Sequence, residues 1–292
     1  MMKVAFAGLG AMGVPMAHNL HRAGLLHAVW NRTTIRSQAL ATELEVRAAK
    51  DLADLASDAD AVVICVAADG DVLSVVDQLA PALPAGALVI DCSTVSADTA
   101  AAAAQILAQR QVEFLDAPVS GGTEGAARGT LAIMVGGSES AYQRAQPILR
   151  AMGKSIAHFG TTGAGQATKA TNQIMCAGII RAVAEAMAFA RAHKLPLDKV
   201  VDTLGQGAGS SWYFVNRAPN MIRNHYPAGF RVRLHAKDLA ICRSMAARLG
   251  VELPVVEEVL QEYGQLIERG YGDEDISATY RLKAELFERP VD

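Results

Sequence analysis

Through the first half of the chain, short apolar runs return at regular intervals: "KVAFAG" (3–8), "HAVW" (27–30), "AVVICVA" (61–67), "ALVIDCS" (87–93), "VEFLDAPV" (112–119) and "LAIMVGG" (131–137). Each is too short for a helix and rich in residues that suit a buried strand. Helix-compatible stretches lie between them, among others at 52–59, 72–79 and 97–110. That alternation predicts parallel strands joined by crossover helices, a doubly wound sheet, with "SIAHF" (155–159) as its last strand.

After Gly160 the strand-like runs stop and long helical patterns take over. The first, from about 166 to 193, contains no proline and would span roughly 40 Å as one helix. That is too long for a single small domain and suits a connector between two. Shorter helices are expected at 197–204, 212–223, 236–249, 255–269 and 277–287.

The composition agrees with this division. A chain of 292 residues, 51% apolar and 20% charged, can bury two cores. A net charge of -3 supplies no basic field, so nucleic acid is not expected as a partner. The most apolar segment, "IMCAGIIRAVAEAMAFA", is broken by Arg181 and Glu185, which predicts a buried helix and no membrane span. With no leader pattern before the first strand, a cytoplasmic protein is expected. Cys65, Cys92, Cys176 and Cys242 are scattered without a C-x-x-C pair, and His18 and His21 lack further ligand candidates, so no metal or disulfide is expected.

The chemistry begins at Gly8-Leu9-Gly10-Ala11-Met12-Gly13, a G-x-G-x-x-G between the first strand and the helix "VPMAHNLHRAG". The first glycine permits a tight turn, the second a close approach to a pyrophosphate, and the third close packing of helix on strand. Phosphate oxygens can then meet the helix N-terminus. The expected fold is thus an α/β Rossmann-like N-terminal domain, 1–162, that binds a dinucleotide. A long interdomain helix joins it to an all-α C-terminal domain, 163–292, for substrate binding and oligomerisation.

An acidic residue that reads the adenosine ribose of NAD would fall at the end of the second strand, and the chain has Asn31, Arg32 and Thr33 there. Losing the carboxylate removes repulsion of a 2′-phosphate, and Arg32 offers a planar donor fork. The residues favour NADP(H), with NAD(H) possible. The competing reading is a solvated Arg32 beside a helix capped by Thr33 or Thr34.

Two further constellations stand out. In "DAPVSGGT", Ser120, Gly121 and Gly122 can turn successive N–H groups toward one point, a nest for a carboxylate, although an ordinary Pro/Gly turn has the same signature. In "GAGQATKATNQ", Lys169 and Asn172 are three apart on one helix face, where ammonium and amide can act on one small ligand. Their place at the start of an apolar helix favours a cleft. Lys237 beside Asp238 reads by default as a surface ion pair.

Taken together, "FAGLGAMGVPMAHNL", "DCSTV", "FLDAPVSGGTEGAARGTLAIMVGG", "GAGQATKATNQ" and "LHAKDL" resemble, in order and spacing, the β-hydroxyacid dehydrogenase family typified by 3-hydroxyisobutyrate dehydrogenase. The resemblance spans nearly the whole chain. It implies Lys169 as the catalytic lysine with Asn172 beside it, and Ser120, Gly121 and Gly122 at the substrate carboxylate. It also implies Thr94, Lys237 and the segment at Val66 and Ala67 at the cofactor, although Val66-Ala67-Ala68 stands where many members carry Leu-Pro. "VWNRT", "DCSTVSADT", "AMGKS" and "DEDISATYR" are most similar to NADPH-dependent glyoxylate/succinic semialdehyde reductases. The NAD-dependent alternatives are 3-hydroxyisobutyrate dehydrogenase and tartronate semialdehyde reductase. Imine reductases usually lack the lysine, 6-phosphogluconate enzymes have a larger helical domain, and relatives without the lysine serve as dinucleotide-dependent scaffolds. The implied partner is a small carboxylate-bearing substrate, and the implied assembly a homodimer or homotetramer.

Overall fold

The computed structural model describes residues 2–288, which divide into two compact units, one up to Lys169 and the other from Ala170 onward. The first unit is built on a sheet of nine strands among the described residues. β1 (Val4–Ala7), β2 (Leu26–Trp30), β3 (Arg47–Ala48), β4 (Ala61–Ile64), β5 (Leu88–Asp91) and β6 (Glu113–Asp116) run parallel, in the order β3-β2-β1-β4-β5-β6.

β1, β4 and β5 are buried on both faces, which explains why they read as unbroken apolar runs. Successive residues feed opposite cores. Val4, Phe6, Val63 and Ile90 join one cluster, while Ala5, Ala7, Val62, Ile64 and Val89 join the other. Helices cover both sides. α1 (Gly13–Arg22) buries Met16, Ala17 and Leu20, α2 (Thr34–Leu44) follows β2, and α3 (Leu52–Ala56) precedes β4. α4 (Asp69–Leu79) buries Val72, Val75, Val76 and Leu79, a stripe at helical spacing. α5 (Ala97–Ala108) is capped by Ser96, whose hydroxyl accepts from the Thr99 N–H.

The expected parallel strands run from β1 to β6, and the pattern changes beyond β6. After β7 (Val119–Ser120) and α6 (Gly122–Arg128), β8 (Leu131–Gly137) runs antiparallel to both β6 and β7. β6 and β7 meet β8 in one continuous register, Asp116 opposite Gly136 and Val119 opposite Ile133, so the chain reverses after β7, across residues 121–130 that hold α6. α7 (Glu139–Met152) then carries the chain to β9 (Gly153–Gly160), parallel to β8.

α8 (Ala164–Ala192) starts in the first unit and continues into the second. It is long and apolar enough to cross a membrane by length and composition alone, but one face of it, with Ala177, Ile180, Ala184 and Met187, is buried inside the protein. The second unit is helical: α9 (Leu197–Leu204), α10 (Trp212–Arg223), α11 (Val232–Arg248), α12 (Pro254–Glu268), a 3-10 turn at Ile276–Ala278 and α13 (Thr279–Glu285). Its core joins Ala177, Ile180, Ala184 and Met187 of α8 to Leu239, Val259, Tyr263 and Leu266. Lys283 is buried there between Glu185 and Glu262. An apolar groove of about 950 Å³ runs beside α8, lined by Phe189, Leu195, Leu204, Val255 and Phe287 among others.

Candidate active site

The turn after β1 has little room for side chains, except at one point. A Cβ on Gly8, which has φ +103°, would lie 2.2 Å from the Cys65 carbonyl oxygen, and one on Gly13 only 1.9 Å from the Gly8 oxygen. Gly8 and Gly13 therefore keep strand, turn and helix together. A Cβ on Gly10 would meet nothing within 4 Å. The bare backbone at Gly10 thus borders open space, beside an α1 N-terminus that no side chain caps. Uncapped N–H groups next to an open glycine fit a dinucleotide pyrophosphate.

Asn31 braces this turn. Its Oδ1 accepts from Leu9 N–H at 2.9 Å, and its Nδ2 donates to the Thr33 carbonyl at 3.2 Å. Thr33 stands at the N-cap of α2, but its hydroxyl makes no capping bond. Arg32 is 82% exposed and reaches Asp71 of α4, with Nη1 3.0 Å from Oδ1. Val66 lies against the position a Gly8 Cβ would take, and its N–H donates to Ser93 Oγ at 2.9 Å. Ala67 is exposed and Thr94 half-buried.

A buried clamp absent from the sequence reading fixes the start of α8. Asp116, fully buried at the end of β6, accepts from Gly163 N–H through Oδ1 at 2.8 Å and from Gln166 N–H through Oδ2 at 2.9 Å. Burial pushes its carboxyl above the usual aspartate range against the pull of these donors. The Gln166 side chain donates to the Ser93 carbonyl and accepts from Val95 N–H, holding both neighbours of Thr94. Neither Gly136 nor Gly165 could carry a Cβ, which would fall within 3 Å of the Asp116 carboxylate in both cases.

One turn further on, Lys169 is only 7% exposed, and its Nζ donates to the Val119 carbonyl at 2.9 Å. The lysine is thereby brought to β7, next to Ser120 and the turn in which Gly121 and Gly122 take φ of +132° and +63°. These two glycines have the left-handed backbone that other residues avoid, and Gly122 also opens α6, a helix the sequence reading did not anticipate.

In the second unit, Asn172 Nδ2 donates to Gln173 Oε1 at 2.8 Å, and Gln173 Nε2 donates to Asp238 Oδ2, also at 2.8 Å. The other Asp238 oxygen is 3.0 Å from Lys237 Nζ. This corrects the reading of Lys237 and Asp238 as a surface pair: Asp238 is 5% exposed and Gln173 1%. An unbroken chain of polar contacts runs from Asn172 to Lys237. The available signal was polar residues in an apolar stripe. Gln166, Lys169 and Gln173 continue, at helical spacing, into buried Ala177, Ile180 and Ala184. Nearby, buried His235 contacts the Tyr263 hydroxyl through Nδ1 and the Gln173 carbonyl through Nε2.

A glycine turn, an uncapped helix start and a doubly wound sheet define an NAD(P)-binding oxidoreductase. Comparison with known proteins agrees: residues 3–160 match the NAD binding domain of 6-phosphogluconate dehydrogenase, and residues 163–283 the "NAD-binding of NADP-dependent 3-hydroxyisobutyrate dehydrogenase" family. The chain belongs to the 3-hydroxyisobutyrate dehydrogenase-like family of β-hydroxyacid dehydrogenases. It is 35% identical to an NAD-dependent L-serine dehydrogenase of Pseudomonas aeruginosa, covering 97% of this chain and 98% of that one. The crystal structure of 3-hydroxyisobutyrate dehydrogenase from Salmonella typhimurium matches with a TM-score of 0.86 at 34% identity, covering 97% of this chain and all of that one. The Mycobacterium tuberculosis 3-hydroxyisobutyrate dehydrogenase with L-serine matches with a TM-score of 0.88 at 31% identity, over 97% and 99% of the two chains.

Proposed function

We propose that this dehydrogenase transfers hydride between NADP(H) and a small carboxylate-bearing β-hydroxyacid or semialdehyde, acting as a glyoxylate/succinic semialdehyde reductase. The observation that carries the reading is Lys169, a buried lysine whose Nζ donates to the carbonyl of Val119, the residue before Ser120 and the Gly121-Gly122 turn. When bound, the nicotinamide supplies or takes up the hydride at the reacting carbon.

The chain's own residues do the rest. Gly8, Leu9, Gly10, Ala11, Met12 and Gly13 hold the pyrophosphate, Arg32 and Thr33 the 2′-phosphate with Asn31 as their brace, and Val66, Ala67, Thr94 and Lys237 the remainder of the cofactor. Ser120, Gly121 and Gly122 bind the carboxylate and so orient the substrate for the transfer. Lys169 gives its proton to the oxygen during reduction and, as the amine, takes it back during oxidation. Asn172 orients the reacting oxygen or the lysine. We assign the apolar groove beside α8 to self-association into a homodimer or homotetramer, and light scattering should give a mass of two or four chains.

The second reading is NAD-dependent interconversion of a β-hydroxyacid and its semialdehyde, either oxidation of 3-hydroxyisobutyrate or reduction of tartronate semialdehyde. It is favoured by the Arg32–Asp71 ion pair and by the similarity to the NAD-dependent L-serine dehydrogenase of Pseudomonas aeruginosa. Reduction of glyoxylate, succinic, tartronate and methylmalonate semialdehydes with each cofactor discriminates the two. The proposal expects NADPH to be preferred, and aldehydes lacking the carboxylate to react poorly. Equal efficiency with a simple aldehyde would remove the anion site.

A further inference from the structure

Arg32 and Asp71 come from different crossovers of the sheet. Arg32 follows β2 and Asp71 lies in the first turn of α4 after β4, and these two strands flank β1 and its glycine turn. The guanidinium that would hold the 2′-phosphate is thus already engaged by a carboxylate at 3.0 Å, with Asp71 29% exposed.

Asp69, two residues earlier, is committed elsewhere. It accepts from Ser96 N–H at 2.9 Å and from Thr99 Oγ1 at 2.7 Å. Burial would raise its carboxyl, but these donors outweigh it and hold the group below the usual aspartate range. Asp71 is therefore the acid of this turn that faces Arg32, and Gly70 between the two has open space around it.

We propose that Asp71 is a cofactor-specificity residue, an internal anion that competes with the 2′-phosphate of NADP(H) for Arg32 and so narrows the preference for NADP(H) over NAD(H). The proposal rests on the assignment of Arg32 to the 2′-phosphate. Carboxylate and phosphate seek the same planar donor fork, and a phosphate that binds Arg32 must either displace Asp71 or share the guanidinium with it, in both cases beside its charge. NAD(H), with a hydroxyl at that position, leaves the ion pair intact. An exposed pair of this kind is weak, so the effect is a tuning of several-fold.

The test is the dissociation constants of NADPH and NADH, read by nicotinamide fluorescence without substrate, for wild type, Asp71→Asn, Asp71→Glu and Arg32→Ala. Asp71→Asn should tighten NADPH by about threefold and leave NADH unchanged, with the gain shrinking as salt is added. Asp71→Glu, which keeps the charge, should retain a ratio near that of wild type. Arg32→Ala should weaken NADPH selectively. If Arg32→Ala lowers the NADPH preference while Asp71→Asn leaves it unchanged or weakens NADPH, the competition is refuted and the 2′-phosphate site stands. If Arg32→Ala leaves the ratio unchanged, both ideas fall.

Discussion

Replacing Lys169 with alanine is expected to lower turnover by about a thousandfold while leaving nicotinamide nucleotide binding close to that of wild type. The lysine is held twice. Its backbone belongs to the α8 turn that Asp116 and Gln166 anchor, and its Nζ is fixed on the Val119 carbonyl. Alanine keeps the helix, since it is the best helix former, and removes only the ammonium. Lys169→Arg should be nearly as poor, because a guanidinium retains the charge but does not release a proton near neutral pH. Stopped-flow measurement of a single turnover, alongside nucleotide titration, separates lost chemistry from lost binding. A variant with near-normal turnover would remove Lys169 from the proton transfer.

The second large effect is expected at Asp116, which acts on the lysine through the start of the helix that carries it. Both of its oxygens accept from backbone N–H groups at the start of α8. Asp116→Asn is almost isosteric, yet it turns an amide donor toward one of those N–H groups and leaves buried donors unsatisfied. The cost should be about 2–4 kcal/mol of stability. Because α8 would start from a displaced first turn, kcat should also fall by at least tenfold, with a much smaller change in cofactor affinity.

The wild-type carboxyl sits above its ordinary range, so the native chain keeps this proton at a pH where the unfolded chain has lost it. Its contribution to stability therefore declines as pH rises from the ordinary aspartate range through that raised value. The Asn variant should lack this slope in denaturant unfolding followed across pH. A variant with wild-type stability and kcat would show that the clamp is dispensable.

Much of this architecture was legible because each element carried its own signal. β1, β4 and β5 were read from unbroken apolar runs that both cores require, and the glycine turn from its place between strand and helix. The long helix was predicted from 166, against an observed start at Ala164. β3 and β7, two residues each, have no periodicity to detect. The reversal of β8 depends on which strand it meets, information that a local pattern does not contain.

At the site, Lys169 and Asn172 stood out by their spacing, and Arg32 by the missing acid. The partners of these residues did not. Asp116 lies 47 residues before Gly163, and Gln173 lies 65 residues before Asp238, so neither contact follows from sequence separation. Asp71 was hidden in the same way, 39 residues from Arg32. Gln166 and Gln173 were detectable in principle, as amides within a stripe that otherwise becomes apolar, since such a position needs a buried partner.

The most direct test of the central claim is NADPH consumption with glyoxylate and succinic semialdehyde by wild type and Lys169→Ala in parallel, with a matching aldehyde that lacks the carboxylate as control. Reduction by wild type of at least one carboxylate-bearing aldehyde, weak reaction with the control and near-complete loss in Lys169→Ala are the predicted result. No turnover of either acid by wild type, or equal turnover by both proteins, would contradict it.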